Sequence, residues 1–398
     1  MKKTLVAIAA IAASTGAFAQ SSVSLYGLLD FGYTNASYEK NDVLQVARKG
    51  FATSSDNSSR WGLTGTEVIG NGLSAEFKIE QGIGTNPRSG IAQDMASVNG
   101  MPKGNAYTLD ATVLGDRELW AAMTYGNTRI QGGYGVTALR NLAVQTDAAG
   151  SNVMGNPIAH EMGAYRREGV QVTQTFGAVK ATAAVTGNRQ TTVSGADANS
   201  ATTYTGGDFK VGRGYNAALT YTQGPINVGV AYDEVSSQNP AQDLTVTQNQ
   251  GSGVVVPAIA AANTTLKSTL VAGSYDFGKV KAFAQYYAVN NVDNTSDAIA
   301  SGEGKKKAYS VGLQAPMGAA VPFVQIFKGT NSQSAKATLA GEDRNWTGYT
   351  LGARYNLSKR TYAYAATGQY KTDAGSNTGN YGSKAVYQQS TVGVAHAF

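Results

Sequence analysis

Cysteine is absent from this 398-residue chain, histidine occurs twice and proline only eight times. Without cysteine there is no disulfide framework, no thiolate metal site and no thiol nucleophile. The two histidines, His160 and His396, cannot form the paired-histidine zinc motif at helical spacing, so no metal or other cofactor is expected. A phosphate-cradling G-x-x-x-x-G-K-[ST] loop is also missing, because "GEGKKKA" at 302–308 lacks both the spacing and the hydroxyl residue. Nowhere is there a run of about eighteen apolar residues, which excludes a protein that crosses a membrane with helices. Charge of either sign is sparse, at 15% of residues. The net excess of +6 is far from a nucleic-acid-binding profile, and no nucleic-acid partner is expected.

The first twenty residues do carry a signal. Lys2 and Lys3 precede an apolar run from Leu5 to about Ala13, followed by Ala17-Phe18-Ala19. That is the layout of a secretory signal peptide with an A-x-A cleavage site, so residues 1–19 are expected to be removed and the working unit to span 20–398. Loss of the two lysines leaves a net charge of about +4.

From Ser22 onward apolar and polar residues alternate with period two over short segments. Val23, Leu25, Leu29, Phe31 and Tyr33 fall on one side of the first of these, and Ser24, Tyr26, Leu28 and Asp30 on the other. Such alternation describes a strand between an apolar phase and water. About sixteen segments read this way, from 22–35, 58–67 and 72–82 through 307–316 and 321–330 to 361–372 and 386–398. Short connectors such as Gly126-Asn127, Gly177-Ala178 and Gly224-Pro225 take turns with long, polar, Gly/Ser/Asn/Asp-rich ones. One plain rim, one elaborate rim and an even number of strands predict an all-β, sixteen-stranded antiparallel transmembrane barrel. Its short turns would be periplasmic and its long loops extracellular. In hydrocarbon every backbone N–H and C=O must be paired, and a closed sheet achieves this without edges.

Parity then assigns candidate lumenal residues. Glu76, Lys78 and Glu80 alternate with Phe77 and Ile79, Arg129 and Gln131 with Ile130, and Arg354 with Tyr355 and Ala353. Tyr26 and Asp30 share the polar face of the first segment. Tyr362, Tyr364 and Tyr370 near strand ends suggest the aromatic girdles at the membrane interfaces. Lys305, Lys306 and Lys307 read as a solvated external loop tip, with lipopolysaccharide phosphates as the alternative.

Four stretches together resemble a known family: "SSVSLYGLLDFGY" from Ser21, "SRWGLTGTEVIGNGLSAEFKIEQG" from Ser59, "LGARYNLSKRTYAYAATGQY" from Leu351 and the terminal "STVGVAHAF". They are similar to the Gram-negative general porins of the Neisseria and Burkholderia type, and the similarity runs in order along nearly the whole mature chain. The resemblance implies a homotrimer in the outer membrane, in contact with lipid and lipopolysaccharide, that passes small hydrophilic solutes by diffusion. It also implies that the third long connector, about 137–162 and carrying Arg140, Asp147 and Glu161, folds into the lumen. Facing it, the family's wall arginines correspond to Arg60, Arg117 and either Arg166 or Arg167. The terminal Phe398 corresponds to the signal read by the barrel-assembly machinery. The chain departs from the family pattern at "QGGYGVTALR", at "EGVQVTQTF" and at His396. A basic wall against a sparsely acidic loop gives the expectation of a weak anion preference. A substrate-selective channel, an adhesin and an outer-membrane barrel enzyme are the alternatives, the last disfavoured because the only central histidine has no visible nucleophile beside it.

Overall fold

The computed structural model describes residues 22–83, 115–150, 166–187, 213–239, 262–293, 304–333, 344–372 and 384–398. The leader segment, Glu161, His160 and most of the long connectors lie outside the described residues. What is described is almost entirely strand. The order is β1 (Ser22–Lys40), β2 (Val43–Thr53), β3 (Arg60–Gly70), β4 (Leu73–Gly82), β5 (Glu118–Tyr125) and β6 (Thr128–Val136), followed by the helix α1 (Ala138–Gln145). After it come β7 (Arg166–Phe176), β8 (Val179–Gly187), β9 (Gly214–Gln223), β10 (Ile226–Asn239), β11 (Ala262–Asp276) and β12 (Lys281–Asp293). The chain ends with β13 (Gly304–Gln314), β14 (Ala320–Gln333), β15 (Arg344–Asn356), β16 (Thr361–Thr372) and β17 (Ala385–Ala397).

Apart from β2 and β3, each strand pairs antiparallel with its sequence neighbour, and β17 returns to β1 with Leu28 opposite Ala397 and Lys40 opposite Ala385. The sheet is therefore closed and has no free edge. Seventeen segments make sixteen staves, because β2 and β3 are two halves of one: β2 covers Phe31–Lys40 of β1, and β3 covers Ser22–Leu28. This corrects the reading of the first long connector as irregular. It is a hairpin that turns at Asn41 and Asp42, whose φ values of 51° and 61° suit a type I′ turn. Residues 54–59, between β2 and β3, leave the sheet and fold toward Asp30.

The other rim is made of tight turns. Gly126, Gly177 and Gly224 each occupy the first central position with φ of 56–58°, which a side chain resists and glycine adopts freely. At the closing seam Gly27 and Phe398 exchange two backbone hydrogen bonds of 3.1 Å, and the Phe398 ring lies where a Cβ on residue 27 would stand.

Alternation separates the two faces as the period-two pattern requires. On β17, Val392 and Val394 are 56% and 45% exposed on the outside, whereas Thr391 and Ala395 face inward and are buried. The same outer belt continues through Leu119, Met123, Val170, Val230, Val271, Val311, Ile326 and Leu351. Three tyrosines fall on the other side of the wall from the interface girdle. Tyr362, Tyr364 and Tyr370 of β16 point inward, with Tyr364 bonded to Asp30 and Tyr362 to Asp56. Tyrosine carries both a large apolar ring and a hydroxyl, so it serves either face. The lysine run is likewise strand rather than loop tip, since β13 begins at Gly304.

Candidate constriction and its charged wall

After β6 the chain turns into the barrel. Thr137 caps α1 by accepting a hydrogen bond from Arg140 N at 3.3 Å, satisfying one of the orphan donors of the first turn. Positions i, i+1, i+4 and i+5 of the helix (Ala138, Leu139, Leu142 and Ala143) form its buried face. Leu139, Leu142 and Ala143 share a core cluster with Ala231, Leu270, Ala272 and Tyr287 of β10, β11 and β12. Burying Leu142 alone contributes roughly 2 kcal/mol. A small apolar core thus sits inside the barrel and ties the in-folded segment to one wall.

A series of wall amides completes the attachment. Asn216 Oδ1 accepts from Ala138 N at 3.3 Å, and Gln285 Nε2 donates to the carbonyls of Ala143 and Thr146 at 2.8 and 2.9 Å. Gln314 Nε2 donates to Ala148 O at 2.7 Å, and Gln325 Oε1 accepts from Ala149 N at 3.0 Å. Finally, Arg354 donates to Ala149 O at 2.8 Å. Each amide supplies what a loop backbone lacks away from water, so the segment needs no sheet partners of its own.

Arg354 also grips the segment 54–59, with Nε 2.9 Å from Asp56 Oδ2, and it lies over the Phe323 ring. Asp30 holds the same segment from β1. Its Oδ2 accepts from Asp56 N and Asn57 N, its Oδ1 from the Tyr364 hydroxyl, and the whole side chain is buried. Asp30 and Arg354 therefore act as anchors joining two inward segments rather than as open pore charges.

Across the lumen, β3 to β6 carry a paired charge network. Glu80 is its centre: Arg117 Nε lies 2.6 Å from Oε1, while Lys78 Nζ, the Tyr26 hydroxyl and Arg60 Nε lie 3.3, 2.9 and 3.7 Å from Oε2. Lys78 also meets Glu118 at 2.7 Å and lies over the Tyr26 ring. Below this group Arg129 pairs with Glu76 at 3.1 Å, stacks on Trp120 and donates to Gln131. Four bases face three carboxylates, so this network carries one net positive charge.

Arg117 shares the sequence parity of Leu119 yet turns inward, because it stands one residue before β5 begins and the alternation does not bind it. Arg167 forms a two-pronged bridge to Asp233, at 2.8 and 2.6 Å, that runs along the inner wall past Gly214. That bridge neutralises it. Arg166 opens β7 opposite Val136 and is half-buried. In the in-folded segment, Arg140 lies on α1, and Asp147 is buried with its carboxylate accepting from Ala149 N. The part of the loop that holds Glu161 is outside the described residues. Sequence reasoning overlooked Glu118, Asp56, Asp233 and the wall glutamines. Glu118 had a usable signal in its shared parity with Trp120 and Ala122, and the glutamines stand out as lone amides on inward positions of apolar strands.

On the tight-turn side of α1 the lumen opens into a cavity of about 740 Å³, lined by Lys78, Arg129, Gln171, Thr173, Lys180 and Thr220 among others. Its walls mix hydroxyls, amides and a few charges with apolar side chains, among them Trp120, Val136, Leu142 and Val179. Among the described residues no group of three histidine, aspartate or glutamate side chains is placed to hold a metal.

A closed sixteen-stave barrel with an apolar outer belt, a polar lumen and a loop locked across it defines an outer-membrane channel. The profile of the Gram-negative porin family matches residues 4–375, and the chain belongs to that family. Among curated relatives, an outer membrane porin of Bordetella pertussis is 28% identical over 92% of this chain and 93% of its own length. Outer membrane porin protein 32 of Delftia acidovorans is 49% identical over 80 residues, 20% of this chain and 22% of its own. Among solved structures, an anion-selective porin from Comamonas acidovorans superposes with a TM-score of 0.66 at 21% identity, covering 95% of this chain and 100% of that one.

Proposed function

We propose that this outer-membrane porin is a general diffusion channel for small hydrophilic solutes, with a weak preference for anions. The observation that carries this reading is the asymmetry at the constriction. One inner wall is covered by a neutral, amide-anchored segment, and the facing wall holds a charge network with one positive charge in excess. Opposed charges in a narrow aqueous passage orient dipolar solutes and raise the local concentration of the counter-ion. The relative from Comamonas described as anion-selective supports the sign. Lys180 adds a further base to the lining of the lower cavity.

The same reading includes a homotrimer and delivery by the barrel-assembly machinery. A contact surface is available around the closing seam, where Phe31, Tyr33 and Phe51 cluster on the outside with ring centroids 5.4 and 5.5 Å apart, beside Val392 and Val394. Phe398, at the end of the closing strand, suits an assembly signal because its pairing with Gly27 completes the barrel. No catalytic role is assigned. Among the described residues the lumenal acids are engaged by bases or backbone donors, and His396 bonds Thr361 on the exposed face.

Single-channel recording of the refolded mature chain, paired with liposome swelling in sugars of graded size, tests the proposal. Ohmic openings in groups of three and swelling rates that fall smoothly with solute size are expected. Saturable uptake of one solute would indicate a selective channel, and absence of conductance from a folded barrel would remove the channel reading.

A further inference from the structure

The amide side chains inside the barrel fall into two groups. Asn216, Gln285, Gln314 and Gln325 commit theirs to the backbone of the in-folded segment. On the tight-turn side of α1, by contrast, Asn141, Gln145 and Gln171 line the cavity of about 740 Å³, and their amides have no hydrogen-bond partner among the described residues. Asn141 and Gln145 stand four residues apart on α1 and are exposed, so both present their amides on one helix face. Gln171 approaches from the wall, on β7 opposite Gln131 of β6.

The bases of this cavity divide in the same way. Lys78 is held by Glu80 and Glu118, and Arg129 by Glu76. Lys180 of β8 has no carboxylate partner among the described residues. It has the opposite parity to the outward-facing Val185 and stands exposed in the lumen, with Thr175 of β7 opposite it on one side and Thr220 of β9 on the other. Glu118 is the one carboxylate in the lining, and besides Lys78 it accepts from Trp120 Nε1 at 2.8 Å. The turns bordering this part of the rim, at 126–127, 177–178 and 224–225, lie among the described residues and carry no acid. One uncompensated ammonium and three unengaged amides therefore converge on one water-filled space.

We propose that the cavity beneath α1 is a transit site for sugar acids, solutes that carry one carboxylate on a polyhydroxylated ring. The carboxylate rests on Lys180, and the ring hydroxyls exchange hydrogen bonds with Asn141, Gln145 and Gln171. A bare anion would use the lysine and leave the amides in water, whereas a neutral sugar would use the amides and leave the lysine. A solute with both groups uses the whole lining. Amides donate and accept at once, as hydroxyl guests require, and Trp120 and Val136 add apolar surface for the C–H edges of the ring. The volume lies in the range of about 300–1,000 Å³ usual for small-molecule sites. Because a single solvated lysine holds the charge, binding is weak and passage continues. The site rests on the channel reading and adds a preference within it, separate from the charge network around Glu80.

The test is current-noise analysis of the refolded mature protein in a planar bilayer, with solute added on the tight-turn side at about 0.1 M salt. Galacturonate, acetate and galactose are the probes. An exposed charge pair contributes up to about fivefold to affinity, and an exposed amide contributes roughly twofold, so three amides give about tenfold together. Galacturonate is thus expected to bind about fivefold more tightly than galactose and about tenfold more tightly than acetate. Lys180→Gln should weaken galacturonate about fivefold and leave galactose within about twofold. The N141A/Q145A/Q171A variant should weaken galacturonate about tenfold and leave acetate within about twofold. Lys279→Gln removes one charge from an exposed turn of the same rim and should leave all three probes within about twofold of the parent. Galacturonate binding no tighter than acetate, parent-like binding by either lumenal variant, or an equal loss in Lys279→Gln would each overturn the site. The current before any solute is added separates the two readings: normal openings without preferential galacturonate block refute the site alone, and absence of openings from a folded barrel refutes the channel and the site with it.

Discussion

Replacing Glu80 with glutamine removes the carboxylate at the centre of the charged wall while leaving an oxygen for Arg117 to donate to. In the parent, Glu80 offsets Arg60, Lys78 and Arg117, and Glu76 and Glu118 offset the rest. An ion passing about 6 Å from the changed site in water feels one added unit of positive charge, worth about 0.7 kcal/mol unscreened. At 0.1 M salt the Debye length of about 10 Å leaves roughly 0.4 kcal/mol. That enriches chloride about twofold and depletes potassium by about the same factor. The chloride-to-potassium permeability ratio of Glu80→Gln should therefore rise three- to fourfold, as about 0.4 kcal/mol acts with opposite sign on the two ions. At 1 M salt, with a Debye length of about 3 Å, the change should shrink below about 1.5-fold. Reversal potentials in potassium chloride gradients at both salt levels measure this directly. An unchanged ratio at low salt, or an equal change at both, would refute the view that this wall sets selectivity.

Further consequences follow from the anchors of the in-folded segments. Gln285→Ala leaves the carbonyls of Ala143 and Thr146 without that donor, a loss of about 1–3 kcal/mol, and should appear as excess open-channel noise with little change in mean conductance. Asp56→Asn breaks the charge pair with Arg354. It should destabilise the barrel by about 3 kcal/mol, the low end for a buried pair because the Arg354 side chain keeps 19% exposure, and lower the midpoint of heat-induced mobility shift on a gel. Gly348→Leu places side-chain atoms where the Phe327 ring now lies against the backbone, with an ideal Cβ only 2.0 Å from that ring; reduced yield of folded barrel is expected, and normal yield would show the ring to be displaceable. Deleting Phe398 removes both backbone bonds to Gly27 and should lower the amount of protein recovered in outer-membrane fractions.

The architecture was largely legible in the chain because a barrel writes its two environments into every strand. Val392 and Val394 alternate with Thr391 and Gly393, and the fold follows that pattern literally. Where a residue suits both sides, the pattern gave no answer: the tyrosines of β16 face inward because Asp30 and Asp56 await their hydroxyls. Beyond the end of a strand parity loses its meaning, and Arg117 turns into the lumen for that reason. The first connector hid a hairpin because Tyr38-Glu39-Lys40 and Asn41-Asp42 look like a polar loop unless the turn is recognised as two left-handed residues. Cross-barrel contacts such as Arg354 with Asp56, separated by 298 positions, leave no local trace at all. The site was thus half legible: the charged strand of Glu76, Lys78 and Glu80 could be read directly, but the partners that decide which charges stay open to solutes could not.

The most direct test of the whole account is the zero-current potential of the unmodified refolded protein in a tenfold potassium chloride gradient at low ionic strength. A locked loop facing a wall with one positive charge in excess predicts a potential of the sign that marks chloride as the more permeant ion, fading toward the neutral value as salt approaches 1 M. A potassium-selective potential, or one that salt does not weaken, would contradict it.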